Sequence, residues 1–481
     1  MNPDVTRRAT IAGAAGLLFP AQPAAAAPAA PIILNDASQL NPTPVVKSAS
    51  VGRGQAAIAR LRRELRAAAT EGRPVAMGGA RHSMGGQSLP RLGFALTIDQ
   101  AAPEVDTRAG LYRVGAGARW RDVIATLGPL GHSPKVMQAN NDFSIGGTFS
   151  VNAHGWPAPL PPMGGTVRAI RLMLADGAVV EASPTREPEL FALAMGGYGL
   201  VGVILDLDIE MVPNRALTVQ FSRMAAPDVA NGFVSALTGP GRAELVYGRL
   251  SVARDDFLHE ASMVAYRPTS EPPPAAVGRA PGWLDGATRG VYRAQVGSDA
   301  MKRSRWFAET VLAPRLHPRL VSRNTLLDTS VSLLASSDQR RTDILHEYFL
   351  PPARLEAFLT ICRKAIPASG LELLNVTLRY VAQDKTSMLR FAPADRIAAV
   401  MSFSQRKNRD AESAMAALTP ILIDAALAQG GSYYLPYRLH ARPDQLLNAY
   451  PQAAAFAAAK RRLDPQLLFR HALWDRYFAA L

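Results

Sequence analysis

The run Gly197-Tyr198-Gly199-Leu200-Val201-Gly202 has the spacing GxGxxG, which serves dinucleotide binding when it follows a strand and opens a helix. Here the helix-like PELFALAM precedes it and the alternating VILDLDIEMV follows, so the context of a nicotinamide site is missing. The single cysteine, Cys362, lies in the helix-like run FLTICRKAI and is expected to be a buried, inert thiol. One cysteine excludes an internal disulfide framework and any multi-cysteine metal or iron–sulfur site, and no metal is expected. No GxSxG elbow, Walker A loop or HExxH helix occurs, which removes the commonest hydrolase, NTPase and zincin signatures. What remains are glycine-rich turns that each carry a histidine. They are GGARHSMGGQ with His82, and SIGGTFSVNAHG with His154.

The elements around these turns alternate in short pieces. LRRELRAAATEG reads as a helix ending at Gly72, PVAMGG and FALTID as strands, YRVGAGA as a strand, and WRDVIATLGPLG as a short helix. VRAIRLMLADGAVVEAS reads as a hairpin turning at Asp176-Gly177. From about Asn214 to Gly430 the texture changes. The proline-rich SEPPPAAVGRAPG is a surface loop, and DILHEYFLPP, LLNVTLRYV and RIAAVMSFSQ are strands between helices such as ARLEAFLTICRKAI. Strands and helices mixed without a regular βαβ repeat give an α+β class. A chain of 481 residues, 48% hydrophobic and 19% charged, is globular and long enough for two domains. The boundaries expected are 31–215, 216–430, and a C-terminal segment 431–481 that returns to the first domain.

The excess of 53 Lys+Arg over 39 Asp+Glu, +14, invites a nucleic-acid reading. The basic residues are scattered, with Arg60/Arg62/Arg63/Arg66 and Lys460/Arg461/Arg462 the densest clusters, and no aromatic-interleaved stripe is present, so nucleic acid is not expected. Residues 1–30 read as an export signal. Thr6-Arg7-Arg8 precedes the apolar Ile11 to Phe19, and Ala24-Ala25-Ala26 offers a cleavage site. The paired arginine resembles a twin-arginine signal, which carries folded proteins across the bacterial inner membrane, so a periplasmic or secreted location is expected, with export machinery as partner. No second hydrophobic stretch of spanning length is expected, hence no transmembrane anchor.

GGARHSMGGQ, FALTID, WRDVIATLGPLG, FSIGGTFSVNAHG and GGYGLVGVILDLDI, in this order, resemble the flavin-binding domain of the vanillyl-alcohol oxidase and p-cresol methylhydroxylase superfamily. The resemblance runs from about Val45 to Pro213 and resumes in YYLPYRLH and LDPQLLF. It implies a PCMH-type fold that binds FAD, with a separate substrate domain, nearest to alditol and sugar-lactone oxidases and cytokinin dehydrogenases. Glycine-rich turns suit an FAD pyrophosphate because the main chain can approach it without a Cβ clash. The residues implied for the cofactor are Met77, Gly78, Gly79, Ala80, Arg81, His82, Ser83 and Gln87 in the first turn. Ser144, Gly146, Gly147, Thr148, Ser150 and Gly155 follow in the second, with Val203 and Ile204 beyond the third. His82 matches the histidine that relatives bond covalently to the flavin, although Arg81 stands where they have glycine. With no cysteine before Cys362, a double attachment is not expected.

His154 resembles the histidine that faces the flavin in sugar-lactone, alditol and decaprenylphosphoryl-ribose oxidases. The lysines of the last group are replaced here by Trp156 and Tyr437, which disfavours that activity. LHEYFLPP and NVTLRYV look like the strands that present a glutamate and an arginine to substrate, here Glu347 and Arg379. A solvated cross-strand ion pair is the alternative for these two. Tyr434 matches the tyrosine that cytokinin dehydrogenases bring to the flavin, but their aspartate base has no counterpart, Asp142 being out of register. The reaction implied is oxidation of a CH–OH group on a polyol, sugar or lactone-like substrate, with hydride passing to flavin N5 and on to O2 or another acceptor. Oxidation of a CH–NH group, or a redox-inactive flavin-fold binding protein, are the alternatives.

Overall fold

A computed structural model describes residues 32–274, 290–330 and 338–481. The expected signal at 1–30 and much of the proline-rich run SEPPPAAVGRAPG lie outside them.

After the antiparallel pair Ile32–Leu34 and Thr43–Val45, three short strands form a parallel sheet. Lys47–Ser50, Phe94–Thr97 and Val75–Met77 pair in parallel with the second in the middle. The helix Gly54–Thr70 covers them, burying Ala57, Ile58, Leu61, Leu65 and Ala68 along one stripe. Leu468 and Phe469 add to the outer edge, where Val75 N–H donates to the Leu468 carbonyl at 2.6 Å.

The next sheet runs Val179–Ala182, Val167–Met173, Val203–Pro213, Leu111–Gly115, Glu104–Asp106, with His132–Pro134 on the far end of the third. The hairpin turns at Gly177, whose φ of +86° needs glycine. Gly197 to Gly202 lead into the strand Val203–Pro213 and not into a helix, as the failed dinucleotide context implied. SIGGTFSVNAHG departs from the expected turn, because Ile145–Ser150 is a short helix. Ser144 caps it, its side chain accepting from Gly147 N–H at 3.3 Å.

Residues 216–433 build an eight-stranded antiparallel sheet in the order Leu320–Ser322, Ala216–Ala225, Glu260–Pro268, Leu245–Leu250, Glu372–Val381, Arg396–Arg406, Arg341–Leu350, Ser432–Tyr433. The mixture is α+β. The 215/216 boundary falls in the connection between Val203–Pro213 and Ala216–Ala225, yet one apolar core runs through both sheets, from Tyr112 to Phe478. The helix Arg409–Ala428, with a mean hydropathy of 1.4, is long and apolar enough to cross a membrane by length and composition, contrary to expectation. In the fold Met415, Leu418, Leu422 and Ile423 are buried, and Thr419 reaches His346 of the neighbouring strand. Cys362 is fully buried and its thiol is pushed far up by burial, as expected of an inert group.

Two buried histidines make this fold acid-sensitive. Burial, helped by the nearby His440, holds His346 down to about 3, and burial holds His471 down to about 4. Both lie below the unfolded value near 6.5, so between those limits the unfolded chain binds more protons and stability falls with falling pH. Each histidine is expected to contribute a slope of about 1.4 kcal/mol per pH unit in that window. Urea unfolding between pH 6 and 4.5 checks this. A His346→Gln/His471→Gln double variant should show a flatter dependence, and an unchanged slope would refute the assignment.

Candidate functional site

The first two glycine turns, the loop into Val203–Pro213, one face of the eight-stranded sheet and the C-terminal segment enclose a cavity of about 680 Å³. A volume of that order suits a cofactor with a small substrate. Of the residues expected at a cofactor, Met77 to Ser83, Gln87, Ser144, Gly146, Gly147, Ser150, Val203 and Ile204 line it. Thr148 and Gly155 do not. Thr148 is buried behind the wall, accepting from the Trp120 indole at 2.9 Å and donating to the Ser144 carbonyl at 2.8 Å. Gly155 is a packing position, since a Cβ there would run into the Met137 carbonyl.

The turn Gly78–Ser83 is held at its ends. Gly78 N–H donates to the Leu96 carbonyl at 2.7 Å and Met84 N–H to the Pro436 carbonyl at 2.8 Å. Between them, the amides of Gly79, Ala80, Arg81 and His82 donate to no acceptor among the described residues. Arg81 takes a φ of +54°, the left-handed conformation that the usual glycine would adopt freely, so this arginine keeps a glycine backbone at a cost of about 1 kcal/mol. Its buried Nε has no partner. His82 stacks on Phe143 with centroids 4.1 Å apart, and burial, then the Arg119 cation, push its pKa down. Gly79 and Gly146 mark close approaches. A Cβ on Gly79 would strike the Ser144 side chain, and one on Gly146 would lie 2.7 Å from Ala116 Cβ and 3.1 Å from its carbonyl oxygen.

The chemistry-bearing side chains meet on the sheet wall. Glu347 projects from Arg341–Leu350 on the same face as Leu345, opposite Val400 of the central strand Arg396–Arg406. His154 Nε2 forms a short hydrogen bond to Glu347 Oε1, and Tyr437 O–H donates to Oε2 at 3.0 Å. A carboxylate that accepts at both oxygens places the histidine proton on Nε2. His154 Nδ1 is buried without a partner. Phe349, 5.4 Å from His154 edge-on, and Tyr434, whose hydroxyl donates to the Val151 carbonyl at 2.8 Å, complete the aromatic surround. Burial, with Glu347 beside it, raises the Tyr437 phenol well above its ordinary value.

Arg379 also lines the cavity, but the cross-strand ion pair with Glu347 is not formed. The strand Arg396–Arg406 lies between Arg341–Leu350 and Glu372–Val381, so the two side chains are not on paired strands. Gln87 ties the first turn to the C-terminal segment, donating to the Leu435 and Tyr437 carbonyls at 2.8 and 3.0 Å. Lining residues that the sequence reading missed are Asp99, Arg119, Gln138, Asn140, Phe143 and Tyr198. Each sits within a few residues of a recognised motif, which is the signal that was there to use.

Four unpartnered amides in one turn, the partnerless Arg81 and the two glycine approaches form a cradle for a phosphate-bearing group, with Arg119 adding positive charge. The donor set therefore fits an FAD pyrophosphate. Comparison with known proteins decides its nature, because residues 56–183 match the FAD binding domain family. This stretch of the chain is an FAD-binding domain. The chain is similar to L-galactono-1,4-lactone dehydrogenase of Brassica oleracea, 31% identical over 146 residues, covering 30% of this chain and 24% of the relative. It is similar to the alditol oxidase of a Streptomyces species, 29% over 123 residues, 25% of this chain and 29% of the relative. Cytokinin dehydrogenase 8 of Oryza sativa subsp. indica shares 31% over 205 residues, 39% and 38%. The matches to these relatives thus span between about a quarter and two fifths of their length. The FAD-binding domain supplies the cradle, and the sheet wall beyond it supplies Glu347 and Arg379.

Proposed function

We propose that the protein is an FAD-linked oxidoreductase that oxidises a CH–OH group of a small substrate. The observation that carries this reading is the His154–Glu347–Tyr437 cluster in the same cavity as the FAD cradle. Bound FAD would supply the hydride acceptor. The protein's own part is proton handling and orientation. Glu347 fixes the His154 tautomer with the proton on Nε2, which leaves Nδ1 as a lone pair able to take a hydroxyl proton. Tyr437 holds the other carboxylate oxygen, and the apolar ring of Phe349 and Tyr434 limits water. The sheet of residues 216–433 acts as the substrate side of the molecule. Similarity to lactone dehydrogenases and an alditol oxidase favours polyol, sugar or lactone-like substrates, with O2 or another acceptor reoxidising the cofactor. Similarity to a cytokinin dehydrogenase supports CH–NH oxidation as the second reading. Native purification should give yellow protein, and anaerobic screening of polyols, lactones, hydroxy acids and amines should bleach it with one class. Protein without flavin bands would overturn the reading.

His82 is our choice for a covalent flavin link. It lines the cavity in the matching motif and is held by the Phe143 stack. Acid-precipitated protein is expected to stay yellow, and His82→Ala to release the colour into the supernatant. Colour in the supernatant of the unaltered protein would make the binding non-covalent. We also propose twin-arginine export by residues 1–30, on the strength of Arg7-Arg8. Replacing both with lysine should leave the protein in the cytoplasm, and unchanged export would sink the idea.

A further inference from the structure

Arg379 is a cation without an anion. Its side chain lines the cavity, its Nε is buried without a partner, and no hydrogen bond or ion pair to a described residue engages its guanidinium. The acid whose field reaches it is Glu347, and both oxygens of that carboxylate already accept, from His154 and Tyr437. A second guanidinium lies nearby, with the field of Glu309 reaching it. Arg249 stands on the adjacent strand Leu245–Leu250 opposite Thr377, on the face that carries Arg379. It donates to the neutral oxygens Asn375 Oδ1 at 2.5 Å and Thr377 Oγ1 at 3.0 Å, and its charge repels Arg379. Several other arginines of this part of the chain do have carboxylate partners. Arg293 pairs with Asp343, Arg305 with Glu309 and Arg223 with Glu260. Burial disfavours the charge on Arg379, but a guanidinium does not shed its proton in a protein. Buried charges are ordinarily paired, and an arginine fork matches a planar oxyanion through two parallel hydrogen bonds.

We propose that the substrate carries one carboxylate, bound by Arg379, so that the protein oxidises a hydroxy acid or sugar acid and not a neutral polyol. This rests on the oxidoreductase reading above. The His154–Glu347 pair would take the hydroxyl proton, bound FAD would supply the acceptor for the hydride of the C–H bond, and the product would be the corresponding oxo acid. The two-pronged fork of Arg379 fits a planar carboxylate, and inorganic phosphate serves as the competing oxyanion in the test.

The test is ligand-induced thermal stabilisation of the purified full chain at constant ionic strength, read by circular dichroism, with flavin content recorded separately from the absorption spectrum. Probes are paired by shape: benzoate with benzamide, gluconate with glucitol, and inorganic phosphate. A carboxylate is expected to bind about tenfold more tightly than its neutral partner, with the preference lost in Arg379→Gln, partly restored in Arg379→Lys, and kept in Arg186→Gln, an exposed arginine outside the cavity. Equal stabilisation by carboxylate and neutral partner in the unaltered protein overturns the proposal whether or not the variants fold. So does a preference that survives Arg379→Gln, or phosphate binding more tightly than the carboxylates. Missing flavin bands count against the oxidoreductase reading instead, and are scored independently of this preference.

Discussion

Glu347→Gln is expected to lower kcat/KM by about a thousandfold while leaving the FAD content unchanged. The amide has nearly the shape of the carboxylate, so the sheet wall and cavity stay intact. Its NH2 group, however, cannot accept the proton that His154 Nε2 now gives to Oε1. If the amide oxygen faces His154, then the NH2 meets the Tyr437 hydroxyl and that hydrogen bond reverses. If the NH2 faces His154 instead, the imidazole must place its proton on Nδ1, which removes the lone pair assigned to the substrate hydroxyl. General-base loss of this kind costs about 10²–10⁴ in rate. The anaerobic rate of flavin bleaching by the best substrate from the screen measures it, and a rate within threefold of the unaltered enzyme would remove Glu347 from proton handling.

Gly146→Ala is expected to yield protein with less than about a tenth of the normal flavin and a lower melting temperature. The new methyl would lie 2.7 Å from Ala116 Cβ, 3.1 Å from the Ala116 carbonyl oxygen and 3.2 Å from its Cα. Two of these three are backbone atoms, and Gly146 N–H already donates to that carbonyl at 2.9 Å, so the wall cannot turn a side chain aside. Relief must come by moving the helix Ile145–Ser150 away from Ala116, which costs about 1–3 kcal/mol as overpacking and displaces a lining element of the cradle. Absorbance ratios of flavin to protein after native purification decide the matter. Normal flavin content in a folded Gly146→Ala protein would show that this close approach does not shape the cofactor site.

The cradle was legible in the sequence because glycine spacing reports main-chain approach directly. The sheet wall was legible only in part. Period-two alternation put Glu347 and Leu345 on one face correctly, but it carries no record of which strands are neighbours. The insertion of Arg396–Arg406 between the strands of Glu347 and Arg379 was therefore invisible. The helix Ile145–Ser150 escaped for a different reason. Two consecutive glycines argue locally against helix, and only the Ser144 cap and the tertiary need for a bare backbone against Ala116 override that propensity. Arg119 borders and Phe143 opens a recognised motif, but nothing in their residue types marks them as lining, so their place in the site shows only in the folded chain. The GxGxxG run illustrates the opposite case. Its context correctly excluded a helix-opening dinucleotide turn, yet Gly199 and Gly202 still line the cavity.

The hydrogen bond from Gln87 to Leu435 spans 348 positions of chain, and Val75 finds its edge partner at Leu468. A nascent polypeptide that has emerged only as far as Gly430 thus has the glycine turns but neither Tyr434, Tyr437 nor the closing edge of the first sheet. Contacts of such separation form late and slowly. A chain that stops before Leu435 therefore carries the first glycine turn without the segment to which Gln87 ties it.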